Sequence, residues 1–237
     1  DSYKYESILR LNLKDRFILT AEYLLHYDPN EPLYMGYDPG NFQSLIVAQK
    51  KDYGRRLDII KEFFAFLPKD YNDLVAEVHQ FFGSAAVNKT IYLYPDRAGN
   101  KRREEREQIT TDSLNLKAAL ESYGFMVILY NEDAPTIYHW QQFKLCQMLF
   151  GERSPLLPVI RIDENECKNL CSAIMISPLK KTDGKIELDK SSEKKQQLKN
   201  QAGLTTQLPS AMIYLLYGLY SDAVKAELST YPTDLPD

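Results

Sequence analysis

The 237-residue sequence has only three cysteines and three histidines, which excludes several metal and redox architectures. The number of cysteines is odd, and the Cys-x3-Cys pair of Cys167 and Cys171 has no second pair of ligands elsewhere in the sequence. Neither a disulfide scaffold nor a structural zinc site is therefore predicted. The histidines form no His-x-x-x-His or Glu-x-x-His pair, which argues against a zinc hydrolase. So few cysteines are typical of a protein from a reducing compartment.

Long apolar runs, phosphate loops and nucleophile motifs are also missing. The uncharged stretch 200–221 is strongly apolar only over 208–220, shorter than the ~20 residues that cross a bilayer. It therefore predicts a buried helix and no membrane association. No Gly-x-x-x-x-Gly-Lys-Ser/Thr loop occurs, and no Gly-x-Ser-x-Gly elbow surrounds Ser210. No secretory leader is expected at the start of the sequence.

The composition is that of a soluble globular domain. Apolar residues make up 44% and charged residues 26% of the chain, which excludes a disordered chain and a coiled-coil rod. The formal charge of −4 excludes a polycation, so any nucleic-acid contact would need a local basic patch.

The hydrophobic pattern predicts alternating strands and helices. Two apolar runs flank a turn at 39–41 and predict an opening β-hairpin. Segments 56–64, 90–94 and 125–130 are further predicted strands, although 56–64 also fits a helix. Parallel strand–helix–strand units after an antiparallel hairpin imply a mixed sheet with helices on both faces. Helices are predicted at 15–26, 70–82, from a cap at Thr110 or Asp112 to a stop at Gly124, at 137–150 and from Pro209 onward.

Two carboxylates stand directly after predicted strands. Asp38 ends the first strand before a Gly-containing turn, and Asp96 ends the fourth in the same way. Ligands of open α/β sheets bind just beyond strand carboxyl ends, and convergent carboxylates can hold Mg²⁺ for phosphodiester cleavage. The alternative is that each Asp only forms a turn, since Asp before Pro or Gly is common there.

The two acidic strands also resemble a known family. Residues 33–41, Leu-Tyr-Met-Gly-Tyr-Asp-Pro-Gly-Asn, with 43–49 resemble the opening hairpin of the nuclease domain of tailed-phage terminase large subunits. Residues 91–100, which contain Tyr-Pro-Asp-Arg-Ala-Gly-Asn, resemble its second acidic strand. Residues 188–194 resemble a linker in such proteins from phages and prophages of gut bacteria. The resemblance extends over about residues 20–220.

The resemblance implies an RNase H-like α/β fold, with a mixed five-stranded sheet flanked by helices. The Asp-Gly turn signal at Thr182–Gly184, between two extended stretches, predicts a β-hairpin insertion. It implies an endonuclease that depends on one or two Mg²⁺ or Mn²⁺ ions and cuts concatemeric DNA during genome packaging. Asp38 would bridge the ions and Asp96 would hold one of them. Because no phosphate loop occurs, the chain is expected to be the nuclease half of a longer protein that also contains an ATPase.

The third acid of the family is absent at its expected position. The family places an Asp at the start of its last helix, and Ser210 occupies that position here. A neutral hydroxyl is a poor ligand for a divalent ion, so one metal site could be weakened or lost. The acids that could substitute for it are Asp183, Asp189 and Glu193.

Basic residues that follow Asp96, and others in the hairpin around residues 180–185, could contact DNA phosphates. The candidates are Lys101, Arg102, Arg103, Lys180, Lys181 and Lys185. The alternative is a solvated segment of mixed charge. Tyr214, by its spacing in the last helix, is predicted to pack in the core.

Domain limits and partners complete the expectation. Residues 1–30 would be a lead-in segment, 31–221 the nuclease domain and 222–237 an acidic tail. The resemblance implies double-stranded DNA, the portal and the small terminase subunit as partners, in the cytoplasm of a bacterial host. Two other functions stay open: a catalytically weakened module for DNA binding or portal docking, and an actin-like or sugar-kinase ATPase that uses Asp38 in a phosphate turn.

Overall fold

The chain folds into an α/β structure built on a mixed seven-stranded sheet. A computed structural model describes residues 18–19, 27–40, 42–96, 103–105, 108–130, 139–152, 154–182, 184–195 and 201–230. The strands are β1 (Ile18–Leu19), β2 (Leu33–Asp38), β3 (Gln43–Lys51), β4 (Arg56–Ala65), β5 (Thr90–Pro95), β6 (Arg103–Glu105), β7 (Gln108–Thr110), β8 (Met126–Leu129), β9 (Val159–Asp163), β10 (Leu179–Thr182) and β11 (Lys185–Leu188).

The α-helices are α1 (Tyr71–Val78), α2 (Asp112–Ser122), α3 (His139–Phe150), α4 (Lys168–Ile176) and α5 (Gln207–Thr230). A short helical turn covers Lys190–Lys194 and leads toward the site described below. No helix among the described residues is both long enough and apolar enough to span a bilayer.

The main sheet has the order β1-β9-β4-β3-β2-β5-β8. Strands β2, β3 and β4 pair antiparallel, as the opening hairpin predicts. Strand β5 lies parallel to β2, and β8 lies parallel to β5. The central order β4-β3-β2-β5-β8 is therefore the arrangement that the RNase H-like prediction requires, and that fold class is confirmed.

Each face of the sheet has its own hydrophobic core. On one face, buried residues of β2 and β3 such as Met35 and Val47 pack against α1 and α2. On the other, Ile46 and Ile59 pack against α3, α4 and α5. The alternation of side chains along a strand explains the division, since neighbours in sequence point to opposite faces.

Helix α5 approaches β2 very closely. A Cβ atom added to Gly36 would lie 2.0 Å from the carbonyl oxygen of Ala211. The strand and the helix therefore meet backbone to backbone at this point, and only glycine fits there. The contact fixes the first turns of α5 beside the carboxyl end of β2.

Some sequence predictions of the fold need correction. The sheet has seven strands rather than five, because the apolar run that ends at Ile162 forms β9 and the chain adds β1 to it. The helix predicted at 15–26 is wrong at Ile18–Leu19, which form a strand that pairs parallel with β9. The other residues of that predicted helix lie outside the described residues. Helix α5 begins at Gln207, so Pro209 stands within its first turn, and it continues past residue 221 to Thr230.

The predicted hairpin insertion is confirmed. Strands β10 and β11 pair antiparallel on either side of residues 183 and 184, with Thr182 opposite Lys185. A second small ribbon, β6 with β7, lies in the charged segment after β5. The hairpin of β10 and β11 leads directly into the helical turn Lys190–Lys194, so its position decides which side chains reach the end of β2.

Candidate active site

The carboxyl ends of β2 and β5 bring two acids together. The parallel register sets Tyr37 beside Pro95, and the Asp96 backbone N–H donates to the Tyr37 carbonyl at 2.7 Å. Asp38 and Asp96 therefore leave the sheet at the same edge. Asp38 is only 4% exposed, and Asp96 is partly exposed. The predicted convergence depended on these strands being neighbours, and that pairing is confirmed.

Burial next to other acids makes the Asp38 carboxyl unusually basic. Its pKa is raised from 3.8 to about 7, mainly by desolvation and further by the charges of Asp96 and Glu193. The Lys190 ammonium and the hydrogen bond from the Gly40 N–H, at 3.0 Å, act in the opposite direction. The raised pKa means that the positive charge and hydrogen bonds around Asp38 do not fully offset the burial of its negative charge.

Tyr214 and Lys190 extend the site on its helical side. The Tyr214 hydroxyl donates to the Asp96 carboxylate, and its pKa is raised well above the ordinary value by burial and then by the charges of Asp38 and Asp96. It therefore stays protonated and remains a donor. The Lys190 ammonium donates to the Tyr214 oxygen at 3.1 Å and lies 5.5 Å from the centre of its ring.

Helix α5 also holds the turn that follows Asp38. The Gln207 side-chain carbonyl accepts from the Phe42 backbone N–H at 3.1 Å. A Cβ atom at Gly40 would lie 2.4 Å from the Gln207 side-chain nitrogen, so the turn passes directly over that side chain. Because Gly40 also binds Asp38, Gln207 positions the acid through the turn.

The helical turn after β11 contributes Glu193. Asp189 caps this turn, since its carboxylate accepts from the Ser191 N–H at 2.9 Å and the Ser191 hydroxyl at 3.1 Å. Glu193 accepts a hydrogen bond from the Thr206 hydroxyl. Of the three candidate substitute acids, Glu193 lies close enough to Asp38 for its charge to raise the pKa of that carboxyl. Asp189 caps the turn, and Asp183 lies outside the described residues.

Ser210, which the resemblance predicts at the position of the family's third acid, lies in the first turn of α5. It is 2% exposed, and its hydroxyl has no hydrogen-bond partner among the described residues. Together with Lys190, Tyr214 and Gln142 it lines a small cavity. A negative side chain at this position would share that cavity with a lysine.

The predicted DNA-binding residues are only partly described. Lys101 and Arg102 lie outside the described residues, and Arg103 is in β6, where only the backbone is described. Lys180 forms an ion pair with Glu187 at 3.0 Å, and the Lys185 ammonium lies 5.3 Å from the ring centre of Trp140. Lys181, on the same hairpin, is exposed.

Sequence reasoning missed the roles of Lys190, Thr206, Gln207 and Tyr214 at this site. Tyr214 is buried, as predicted, but its hydroxyl faces the acids. One signal was available: Gln207, Ser210 and Tyr214 are spaced three and four residues apart, which places them on one face of α5.

The donor set fits a hard divalent cation. No three His, Cys, Asp or Glu side chains in the described part of the chain form a group that could surround a metal ion unaided. Mg²⁺, however, keeps several waters and is commonly bound by one or two carboxylates with substrate phosphates. Asp38, buried and short of positive charge, and Asp96 beside it satisfy that requirement.

Comparison with known proteins supports the fold. The sequence matches no protein-family model and no curated protein. The structure is similar to the nuclease domain of the P22 large terminase, with a TM-score of 0.54 and 10% identity over 86% of this chain and 88% of that one. It is also similar to the large terminase of the thermophilic bacteriophage D6E, with a TM-score of 0.53 and 12% identity over 86% of this chain.

The chain spans 43% of the D6E protein's length but most of the P22 nuclease domain. At this level of identity the likeness concerns the fold. The fold is that of large-terminase nuclease domains, as the resemblance of the acidic strands predicted.

Proposed function

We propose that this chain is a divalent-metal-dependent DNA endonuclease domain of a phage or prophage terminase large subunit, which cuts concatemeric DNA during genome packaging. The observation that carries the proposal is the emergence of Asp38 and Asp96 from neighbouring parallel strands at one sheet edge. The shared fold supports the same assignment, since the P22 structure is a large-terminase nuclease domain. Double-stranded DNA is the proposed substrate, and the portal and small subunit are the proposed partners.

Each residue has a defined task in this proposal. Asp38 and Asp96 would hold Mg²⁺ or Mn²⁺, with Glu193 as the acid that replaces the missing third one. The bound ion would supply Lewis-acid chemistry and charge neutralisation at the scissile phosphate. Tyr214 orients the Asp96 carboxylate by its hydrogen bond, and Gln207 fixes the turn behind Asp38. Asp38 is almost fully buried, so its carboxylate has little contact with bulk solvent.

The direct test is cleavage of supercoiled plasmid by the purified chain with Mn²⁺ or Mg²⁺, compared with the same reaction in a chelator. We expect nicked and linear products with either ion and none with the chelator. Asp38→Asn should abolish them. Intact plasmid at high protein concentration with Mn²⁺ would contradict the proposal.

A second candidate function rests on Ser210. With a buried, unpartnered hydroxyl in the third acid's position, the domain would bind DNA or dock on the portal without efficient cleavage. Ser210→Asp separates the two. A large gain in cleavage indicates a degenerate nuclease, whereas an already high and unchanged rate indicates that another acid, such as Glu193, serves.

A further inference from the structure

We infer that Glu62 is a positioning residue of the candidate active site. It holds the N-terminus of α4, and α4 in turn supports the helical turn that leads into α5. Glu62 belongs to β4, which is separated from β2 by β3, so it acts on the acids only through other residues. The inference rests on the proposed function, because cleavage is the activity that Glu62 would support.

The Glu62 carboxylate caps the N-terminus of α4 from a distant part of the sequence. One of its oxygens accepts from the Asn169 backbone N–H at 2.9 Å and from the Asn169 side-chain amide at 2.8 Å, and the other accepts from the Leu170 N–H at 2.6 Å. The N–H groups in the first turn of a helix have no partner within that helix. Cys167, at the capping position, offers them no side-chain hydrogen bond among the described residues, so Glu62 performs the role of a cap.

Burial makes the strand and the helix depend on each other. Glu62 is 8% exposed, and a buried carboxylate is costly unless hydrogen bonds compensate for its lost hydration. The same strand also holds the segment before α4, because the Glu62 N–H donates to the Glu166 carbonyl at 3.3 Å and the Lys61 ammonium pairs with the Glu166 carboxylate. These contacts lie beyond Ile59, where the described pairing of β9 with β4 ends. Helix α4 is therefore anchored to β4 at its first turn.

Helix α4 lies against the turn that leads into α5. A Cβ atom added to Gly203 would lie 3.2 Å from the side-chain oxygen of Asn169 and 3.4 Å from the Cβ of Ser172. Asn169 thus faces the helical turn Ala202–Leu204 with one end of its amide, while the other end donates to Glu62. This single side chain joins the cap of α4 to the approach to α5.

The residues after that turn arrange the acidic site. Thr206 and Gln207 are buried at the start of α5. The Thr206 hydroxyl donates to Glu193. The Gln207 side-chain carbonyl accepts from the Phe42 N–H, in the turn that follows the first acid. Because close-packed interiors transmit small displacements, a shift of Asn169 would reach both contacts.

A positioning role differs from a purely stabilising one in what it changes. In Glu62→Gln the side chain keeps its shape, but an NH₂ group replaces one of the oxygens and cannot accept from the α4 N–H groups. The first turn of α5 should then lose its fixed position, and the chemical step should slow while DNA affinity stays the same. A residue that only stabilises the fold would lower the folded fraction and leave the turnover rate of the folded molecules unchanged.

The first readout needs no metal. In a chelator, the Phe42 amide proton is protected by its bond to Gln207, and its exchange should become about tenfold faster in Glu62→Gln. Asn169→Ala, which leaves the carboxylate and the backbone N–H groups in place, should have the same effect and carries the test if Glu62→Gln folds poorly. Glu77→Gln is the matched control, because Glu77 is a glutamate of α1 that pairs with a lysine at 3.0 Å, and exchange at Phe42 should be unchanged.

The second readout is plasmid cleavage by the whole chain at saturating Mn²⁺, with kcat and KM for DNA measured separately. Glu62→Gln and Asn169→Ala should each lower kcat at least about tenfold and leave KM within about twofold, since a displacement of about 1 Å at a reacting centre can cost about 100-fold. The double variant should be no slower than the slower single variant, because both residues act on one path. Leu116→Ala, in the core on the opposite face of the sheet, should lower stability without lowering kcat.

The outcomes separate the inference from the proposed function. Unchanged exchange at Phe42, unchanged kcat in Glu62→Gln, or an equal loss of kcat in Leu116→Ala would each overturn the inference and leave the proposed nuclease intact. A wild type that does not cleave plasmid with Mn²⁺ would instead contradict the proposed function itself.

Discussion

The backbone N–H of Asp96 donates to the carbonyl of Tyr37 at 2.7 Å, one residue before Asp38. This hydrogen bond continues the parallel ladder of β2 and β5 to its last residue. As a result, Asp38 and Asp96 follow neighbouring parallel strands at the same edge of the sheet. In the proposed function, this shared edge is where the two acids would bind a cation.

Removal of either acid should therefore abolish ion binding. Asp38→Asn and Asp96→Asn keep the shape of the side chain but remove its charge, and each should weaken Mn²⁺ binding by at least about 100-fold, since loss of even an outer-shell partner costs 10–100-fold. Calorimetric titration with Mn²⁺ measures this. Asp189→Asn is the control, because asparagine also caps a helical turn and binding should be unchanged. Equal affinities across all the variants would remove both aspartates from the site.

The raised pKa of Asp38 predicts a pH-dependent stability in the metal-free chain. Its folded-state pKa is about 7, against 3.8 for the unfolded chain, so the folded state binds the proton more tightly. The stabilisation is complete below pH ~4 and is lost as the pH rises to about 7. Three units of pKa correspond to roughly 4 kcal/mol as an upper limit.

Asp38→Asn should remove this dependence. In a chelator at pH 8, its free energy of unfolding should exceed that of the wild type by roughly 2–4 kcal/mol, whereas near pH 4 the two should be similar. Urea unfolding across this pH range measures the difference. Added Mn²⁺ should stabilise the wild type at pH 8 and leave the variant unaffected. Parallel curves for the two proteins would show that Asp38 ionises normally.

Much of the sheet could be predicted because its signals are local. The runs that form β2, β3, β5 and β8 lie beside clear turn signals, and β5 is mostly buried as a central parallel strand is. Strand β9 was harder, since a short apolar run fits a strand or a helix equally well. The two residues of β1 have no periodicity at all, and only their pairing with β9 defines them.

The candidate site likewise contains residues that local sequence patterns predict and residues that only the tertiary structure reveals. Asp38 and Asp96 were accessible to sequence reasoning because each follows its own strand directly. The hydrogen bond between Lys190 and Tyr214 joins residues 24 positions apart, and it depends on how the helical turn after the β10–β11 hairpin packs against α5. Neither residue has a local pattern that indicates a partner, so this part of the site required the tertiary structure.

The contact between β2 and α5 predicts that Gly36 is indispensable. In Gly36→Ala the new methyl group would meet the Ala211 carbonyl, which is helix backbone and cannot move aside. We expect a loss of roughly 1–3 kcal/mol in the free energy of unfolding, together with weaker Mn²⁺ binding as α5 shifts. Gly40→Ala is the comparison for stability, because its methyl group meets the Gln207 side-chain amide and an Asp38 carboxylate oxygen rather than helix backbone and should cost less stability. Chemical denaturation of both variants measures which substitution lowers the free energy of unfolding more.

The hairpin lysines should contribute unequally to DNA affinity. Lys180 is already paired with Glu187, and Lys185 lies over Trp140, whereas Lys181 is exposed beside them. If Lys181 contacts a phosphate, Lys181→Ala should reduce the slope of log affinity against log salt by about 0.9 and weaken binding on any sequence alike. Fluorescence anisotropy with a short duplex in Ca²⁺ or chelator, at several salt concentrations, measures the slope without cleavage.

Lys225→Ala is the matched control for this experiment, because Lys225 is an exposed lysine on α5 that pairs with Asp222 at 2.8 Å, away from the hairpin. Its removal should leave the salt slope unchanged. Lys180→Ala should have a smaller effect than Lys181→Ala, since Glu187 already neutralises part of its charge. Equal slopes for the wild type and Lys181→Ala would show that the hairpin faces solvent rather than DNA. The basic segment that includes Lys101 and Arg102 would then be the remaining candidate for phosphate contact.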